Sequence, residues 1–533
     1  MNRTTNRLLL GPIVGHTDAH STRIWIRVRD NPEWYALRVA GRGLFPFVST
    51  ETDGLEFGTA LAFADGLRPE RKYRYEVMRR GHVVPGAHGA FRTMPAPGSF
   101  ADMLFVSLSC SDWRLDGAWP LLEKYVKEAQ PRFILMMGDQ VYLDFGDTKK
   151  EHIWPEYLDA KPAQRRQAMA QRYQQHWSRE PIRRIMANTP TYMLWSDHEV
   201  RDGWGSWASD SPTLQQKYPR GAKIAEQYNR FFEDARDLYW HFQACHNPPP
   251  PAYVSTPPRH GERQAMPFSF QCGRLRVLML DDRGDRDLWR ETNRALGHEQ
   301  WRFINGEFVP NLRSDVDALA IVTQAPIVAM SPSGETQRRL GHRNDDVALF
   351  MQGDGKGLLA LQSHSDSTWE MVGVGIDRLV FKDALPNNNF HIAEFDEARD
   401  QWSHYLSRPE ATALIRTAAQ ARTTNRRTGE GRGVVFLGGD IHSGALFDIS
   451  VSNPKFTMQC LTSSGICQAG SHVIGAKVDE DFEVAPGIRA KLQHFVGDYN
   501  FGVTHILFSG GTPVISNVIA HAGQGVYWKI KLP

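Results

Sequence analysis

"MLFVSLSCSDWRLDGAWPLLEKYVKEAQPRFILMMGDQ", Met103 to Gln140, decides the fold class of this chain. It opens on an apolar run, passes through a segment whose Leu121, Leu122, Tyr125 and Val126 share one helical face, and closes on a second apolar run, Phe133 to Met137. Short unbroken apolar runs suit strands buried on both faces, and alternation of such runs with amphipathic helices predicts an α/β architecture. Working outward, "TYMLWSD" (191–197), "LRVLMLDD" (275–282), "ALAIVTQ" (318–324) and "GVVFLGGD" (433–440) are further strand candidates of the same kind.

Upstream the pattern differs. "STRIWIRV" (21–28) alternates Arg23, Trp25 and Arg27 with Ile24, Ile26 and Val28, and "RKYRYEVMRR" (71–80) alternates likewise, the period of half-buried strands. With turn residues between them, these predict a small antiparallel β-sandwich from about Gly11 to Thr93, followed by the linker "MPAPGS" (94–99). The expected organisation is an N-terminal domain over 1–95 and a larger α/β domain over 96–533. Within the latter, about 201–267 is rich in Trp and Tyr, with one helix near Ile224 to Ala244 and the proline run "NPPPPAYVSTPP" (247–258). It is expected to be an insertion that walls or caps a site, or a packing excursion.

Composition narrows the function classes. The 533 residues are 41% hydrophobic and 11% aromatic, enough for a large core, and 62 basic against 60 acidic residues leave a formal charge of +2. That balance gives no basic stripe for nucleic acid and no acidic tail. The five cysteines (110, 245, 272, 460, 467) are odd in number and form no Cys-x-x-Cys pair, which argues against a disulfide framework and for a reducing compartment. No signal peptide, twin-arginine motif or run of membrane-spanning length is seen, so a cytoplasmic protein is expected, with no membrane partner.

Four strand candidates end in groups able to bind metal: "SLSC" in Cys110; "ILMMGDQVY" in Asp139 and Tyr142; "MLWSDHE" in Asp197, His198 and Glu199; and "GGDIH" in Asp440 and His442. Open α/β sheets gather ligands where strands end, so motifs distant in sequence can converge there. Taken singly each has a plainer explanation: Cys110 a small buried hydrophobe, Asp139 a turn cap, His442 a member of a buried network, Tyr142 and Glu199 surface or cap residues. Together they supply thiolate, carboxylates, phenolate and imidazole. Anionic donors of that kind offset the mutual repulsion of two cations, as a two-metal hydrolytic site requires.

The motifs "SC", "GDQVY", "SDHE" and "GDIH", in that order, resemble those of the PhoD-like (alkaline phosphatase D) branch of the calcineurin-like metallophosphoesterases, where S-C, G-D-x-x-Y, D-D-H-E and G-D-x-H occur. "LMLDDR" with Arg283, "LGHEQWRF", "IVTQAP" and "DEARDQWSHYLSR" are similar too, so the resemblance covers most of the chain. It implies a four-layer α/β/β/α metallophosphoesterase sandwich preceded by a fibronectin- or immunoglobulin-like β-sandwich. One departure stands out: Ser196 replaces the first of the family's two aspartates, and an asparagine further on is replaced by Asp202 or a neighbour.

Resemblance and chemistry together imply that Asp139 bridges two metals. Cys110, Tyr142 and His442 complete one sphere, and Asp197 and Asp440 serve the other or are shared. Phenolate with thiolate suits trivalent iron, and the family implies Fe3+ with Ca2+, Mn2+ or Zn2+ being possible substitutes. His198 would protonate the leaving alkoxide or stabilise the oxyanion, and Arg283 or Arg201 would clamp a phosphate oxygen. The expected activity is hydrolysis of a small phosphate ester, monoester or diester. The rivals are a phosphodiesterase specific for one diester and a non-catalytic binding protein on a decayed scaffold.

Overall fold

The computed structural model describes residues 7–51, 57–144, 160–201, 203–205, 223–259, 263–288, 294–329, 347–351, 358–364, 368–371, 401–403, 407–426, 430–468, 480–509 and 512–521. Its first seven strands, β1 (Leu8–Thr17), β2 (Thr22–Val28), β3 (Tyr35–Val39), β4 (Gly43–Ser49), β5 (Thr59–Ala64), β6 (Lys72–Arg79) and β7 (His82–Arg92), pair antiparallel in the order β1-β2-β5-β4-β3-β6-β7. The alternation in β2 sends Ile24, Ile26 and Val28 into a core shared with Leu37, Tyr75 and Phe91. The other face is not left to water. Trp25 joins Leu10, Ile13 and Phe57 in a cluster with Trp177 and Phe242 of the following part, and its indole N–H donates to the His241 carbonyl at 2.9 Å. Arg27 donates to the Ala170 carbonyl at 3.1 Å. The pattern Arg-Trp-Arg has the period of an outward face, but here it is a second interface.

Two further sheets follow. One has the order β10 (Thr191–Leu194), β9 (Ile134–Met137), β8 (Met103–Leu108), β22 (Asn500–Leu507), β23 (Val514–His521), with β8, β9 and β10 parallel. The other runs β11 (Phe268–Cys272), β12 (Leu275–Met279), β13 (Ala318–Val322), β17 (Gly433–Gly438), β19 (Lys455–Ser463), β18 (Gly444–Ser452), β21 (Ile488–Val496), β20 (Asp481–Ala485), and β12, β13, β17 and β19 are parallel. A small antiparallel sheet of β14 (Val347–Met351), β15 (Leu358–His364) and β16 (Thr368–Met371) stands apart in the strand order.

Alternate residues of the parallel strands divide between two cores. Phe105, Leu135, Met137 and Leu194 of one sheet meet Val277, Ala320, Val435 and Leu437 of the other, so the sheets share a dry layer. Outward, Val106, Leu108, Met136 and Met193 pack under helices α1 (Trp119–Ala129), α2 (Pro162–Trp177), α3 (Glu180–Met186) and α4 (Lys223–Phe242). Leu278, Ile321, Val434 and Phe436 pack under α5 (His298–Phe303) and α6 (Arg408–Ala421). Strands buried on both faces by helix and sheet must be apolar throughout, hence the unbroken runs in sequence. Helix α1 starts with Pro120 in its first turn and stops at Gln130, whose φ of 50° is left-handed and whose N–H reaches Val126 O.

Of the expected insertion, 203–205, 223–259 and 263–267 are described, and Asp202 and 206–222 lie outside the described residues. Its helix α4 lies within the expected span and buries Phe231, Ala235, Leu238 and Phe242. Residues 396–400 and 404–406 of "DEARDQWSHYLSR" also lie outside. Among the described residues no helix is long and apolar enough to cross a membrane, and all five cysteines are buried thiols.

Candidate metal centre

The parallel strands of both sheets deliver their carboxyl ends to one place. Cys110 follows β8, Asp139 and Tyr142 follow β9, Asp197 and His198 follow β10, Arg283 follows β12, and Asp440 and His442 follow β17. At four of these residues the chain turns through the left-handed region: φ is 62° at Cys110, 54° at Asp139, 71° at Asp440 and 56° at His442. Non-glycine residues seldom adopt this conformation, and where they do the surroundings must hold them in it. The adjacent glycines serve close approach. A Cβ on Gly138 (φ 103°) would lie 2.5 Å from the Ser196 Cβ, and one on Gly438 would lie 2.6 Å from the Pro326 Cα.

Two groups of potential ligands result, and they share a residue. Donor atoms of Cys110, Asp139 and His442 lie within 4.8 Å of one another, and so do those of Asp139, Asp197 and His198. Tyr142 Oη is 3.3 Å from His442 Nε2, on the side of the first group. The Cys110 thiol donates to Asp139 Oδ2 at 3.4 Å and lies 3.1 Å from Ser464 Oγ. Cys110, Asp139, Tyr142, Asp197 and His198 are buried, whereas Asp440 and His442 are partly exposed and mark the open side.

Asp440, expected as a ligand, and Arg283, expected as a phosphate clamp, are paired with each other. The guanidinium of Arg283, with no exposed surface, donates to Asp440 Oδ1 at 2.8 Å, lies 3.6 Å from Asp197 Oδ1, and donates to Ser196 Oγ at 3.3 Å and Trp204 O at 3.2 Å. The other Asp440 oxygen accepts from Gln401 at 3.2 Å. Arg201 is also buried, its guanidinium 5.6 Å from the Trp204 ring centroid. The expected insertion reaches this edge: Gly203 N donates to Asp197 Oδ2 at 2.7 Å.

Glu199, whose plainer explanation was a surface or cap residue, is not at the surface and does cap backbone amides. It is fully buried and accepts from Asp139 N (3.0 Å), Gln140 N (2.7 Å), Ser196 N (2.8 Å) and Gln243 Nε2 (3.1 Å), tying the turn after β9 to the turn after β10. Four further residues brace the site. Ser109 Oγ accepts from Asp440 N at 3.3 Å, Ser464 Oγ accepts from His442 N at 2.9 Å, Gln401 holds Asp440, and Asp144 carries both oxygens within 3.0 Å of His198 Nδ1. Ser109 lies within "SLSC", Asp144 two residues past "GDQVY" and Ser464 directly after β19, so position was an available signal. Gln401 had none.

Burial and mutual repulsion dominate the electrostatics of these groups. Burial pushes the Asp139 carboxyl well above its ordinary range, and the neighbouring Asp197 and Cys110 push it further. Burial likewise raises the Cys110 thiol and the Tyr142 phenol. For Asp197 burial also acts upward, but Arg283 and His198 outweigh it and hold the group below the usual carboxylate range. Anionic donors crowded in a buried turn are stable once a cation is among them, so this donor set suits a metal.

A family model described as PhoD-like phosphatase matches residues 105–469, more than half of the chain. The chain belongs to the PhoD-like phosphatase family. It is a phosphoric ester hydrolase, metal-dependent in its class. Among solved structures, that of PhoD superposes with a TM-score of 0.58 at 16% identity, over 98% of this chain and 91% of that chain, which shows a common fold. That of purple acid phosphatase PPD1 from yellow lupin (Lupinus luteus) seeds covers 95% of this chain and 71% of its own, at 12% identity and a TM-score of 0.47. No curated protein matches.

Proposed function

We propose that this PhoD-like phosphatase hydrolyses small phosphomonoesters at a two-cation centre built from Cys110, Asp139, Tyr142, Asp197, Asp440 and His442. The observation that carries the reading is that two groups of three donors share Asp139. A single carboxylate common to both is the simplest bridge between two cations. Iron(III) suits the pocket of Cys110, Asp139, Tyr142 and His442, since thiolate and phenolate favour it; calcium, or manganese or zinc in its place, suits the oxygen-rich side of Asp139, Asp197 and Asp440. Bound there, the cations would polarise the phosphoryl oxygens and make a water nucleophilic near neutral pH.

The chain's own residues do the remainder. Asp139 holds the two pockets together. Arg283 neutralises Asp197 and Asp440 and keeps them aimed at one point. His198 gives its Nε2 proton to the departing oxygen, because Nδ1 is already committed to Asp144. We propose further that the chain divides into 1–95 and 96–533, the second part being the four-layer metallophosphoesterase sandwich and the first a fibronectin- or immunoglobulin-like module that contributes no ligand.

Metal analysis of the purified protein, beside rates on nitrophenyl phosphate and bis-nitrophenyl phosphate, tests the reading. It requires two metals per chain and faster turnover of the monoester. A protein that binds no metal, and stays inactive with iron, calcium and manganese supplied, removes it; faster diester turnover transfers it to a phosphodiesterase.

A further inference from the structure

A groove of about 720 Å³ lies between the seven-stranded sheet and the sheet of β8, β9 and β10, away from the metal centre. The segment entering β6 supplies Arg71 and Lys72, the end of β7 supplies Arg92, α1 supplies Lys127, α3 supplies Arg184, and the turn before β9 supplies Arg132. Arg132 and Pro190 stand just before β9 and β10, whose opposite ends carry Asp139 and Asp197. Each strand has 4 residues, and at about 3.3 Å per residue they keep the two places roughly 13 Å or more apart.

Positive charge in this groove exceeds what the protein compensates. Arg184 is held by Glu123 at 3.1 Å and Glu180 at 2.9 Å. Of the acidic residues lining the groove, Glu70 is left to face the other five cations. Its Oε1 accepts from Arg132 Nη2 at 2.9 Å and lies 3.8 Å from Arg92 Nη2. Arg132 Nη1 is buried with no hydrogen-bond partner, and among the described residues Arg71, Lys72 and Lys127 form no ion pair. Partial burial, then repulsion from Arg132, lower the proton affinity of Arg92, and Glu70 offsets only part of this. The carboxyl ends of α1 and α3 add about half a negative charge each, so roughly three positive charges remain. The formal charge of +2 on the whole chain hides this local excess.

We propose that the groove binds a small ligand bearing two or more linked phosphate groups. Arginine forks pair with phosphate oxygens two at a time, and Arg92 and Arg132 already crowd one carboxylate oxygen, so a second anion beside them relieves their repulsion. A monoanion leaves most of the excess in place, whereas a di- or triphosphate matches it. The volume is that of a small-molecule site. Buried Phe91, Ile185 and Pro190 add an apolar wall on which the base of a nucleoside triphosphate can rest, and inorganic triphosphate has no such part.

Tripolyphosphate, titrated by calorimetry, is the probe. Asp139→Ala removes the ligand common to both pockets of the metal centre, and this chain should still bind a single tripolyphosphate. Lys72→Glu combined with Lys127→Glu reverses two exposed charges. In the Asp139→Ala background the pair should weaken binding at least about tenfold, the scale of one charged hydrogen bond. In the wild-type background it should leave kcat and KM for nitrophenyl phosphate unchanged. Inorganic monophosphate should bind more weakly than tripolyphosphate. ATP binding tighter than tripolyphosphate supports the inference with a nucleotide as occupant, and weaker ATP binding supports it with an inorganic chain. No binding to Asp139→Ala, unaltered affinity after charge reversal, or equal affinity for monophosphate overturns it and leaves a solvated basic face. Should Asp139→Ala not fold, the holoenzyme decides with methylenediphosphonate, whose P–C–P link resists hydrolysis: the charge-reversed protein must bind one molecule fewer per chain than the wild type, and an unchanged stoichiometry overturns the inference.

Discussion

Replacing Gly138 by alanine should damage both halves of the metal centre at once. Gly138 lies at φ 103°, immediately before Asp139, and an added Cβ would sit 2.5 Å from the Cβ of Ser196 and 3.2 Å from its backbone nitrogen, next to Asp197. Two costs combine. Forcing an alanine into a left-handed conformation costs roughly 1–2 kcal/mol. Pressing a methyl group into a packed turn costs roughly a further 1–3 kcal/mol, giving about 2–5 kcal/mol in all. Gly41 separates the two, because its φ of 73° is also left-handed but a Cβ there would meet nothing within 4 Å. Urea denaturation of Gly41→Ala should therefore show only the smaller loss, and Gly138→Ala the larger. Metal content and hydrolysis should fall in Gly138→Ala alone, since the clash pushes the turns after β9 and β10 apart. Equal stability losses in the two variants, or full metal content in Gly138→Ala, would refute the assignment of this contact as the one that sets the distance between Asp139 and Asp197.

His442→Ala should lower metal content and hydrolysis together while keeping the melting temperature within a few degrees, because β17 stays buried between two layers; full metal with a lowered melting temperature would show a core histidine instead. Arg283→Ala leaves Asp197 and Asp440 without their guanidinium, and loss of one partner from a buried pair costs about 3–5 kcal/mol; added calcium should then stabilise the variant more than the wild type in a thermal melt, and an equal response would argue against that role. His246 is buried, and burial with Arg23 nearby lowers its pKa to about 4. Protons then bind the unfolded chain first, so its contribution to stability is complete above pH ~6.5 and is lost as pH falls towards 4, by about 2 kcal/mol at pH 5. His246→Gln should flatten the decline in urea stability between pH 7.5 and 5, and an unaltered slope would show that other groups carry it.

The fold class and most of the centre were legible because parallel strands buried on both faces write themselves as apolar runs, and the polar residue that ends each run stands out. What stayed hidden has two physical causes. Trp25 and Arg27 lie on the expected solvent side of β2, yet they meet Phe242 and Ala170, because the period of a strand tells which residues share a face and not what covers that face. Glu199 and Arg283 have the composition of surface residues; the pairing of β9 with β10 places the first among backbone amides, and the convergence of two sheets places the second between carboxylates. Sequence order shows that Asp440 and Arg283 are both strand-end residues; it does not show that they face each other at 2.8 Å.

The bracing of the strained turns explains why the two sheets must act together. Each of the four left-handed residues costs of order 1–3 kcal/mol to hold without glycine. For three of them the restraint comes from another strand's end: Asp139 N is held by Glu199 after β10, Asp440 N by Ser109 after β8, and His442 N by Ser464 after β19. Ser109 belongs to one sheet and Asp440 to the other, and the Ser464 hydroxyl that fixes His442 also lies 3.1 Å from the Cys110 sulfur across the same gap. A relative shift of the sheets would therefore break amide anchors as well as separate ligands. The shared apolar layer of Phe105, Leu135, Val435 and Leu437 beneath resists such a shift, since close-packed side chains do not slide without opening voids. The packing of the inner core thus holds the strand ends of both sheets at one place.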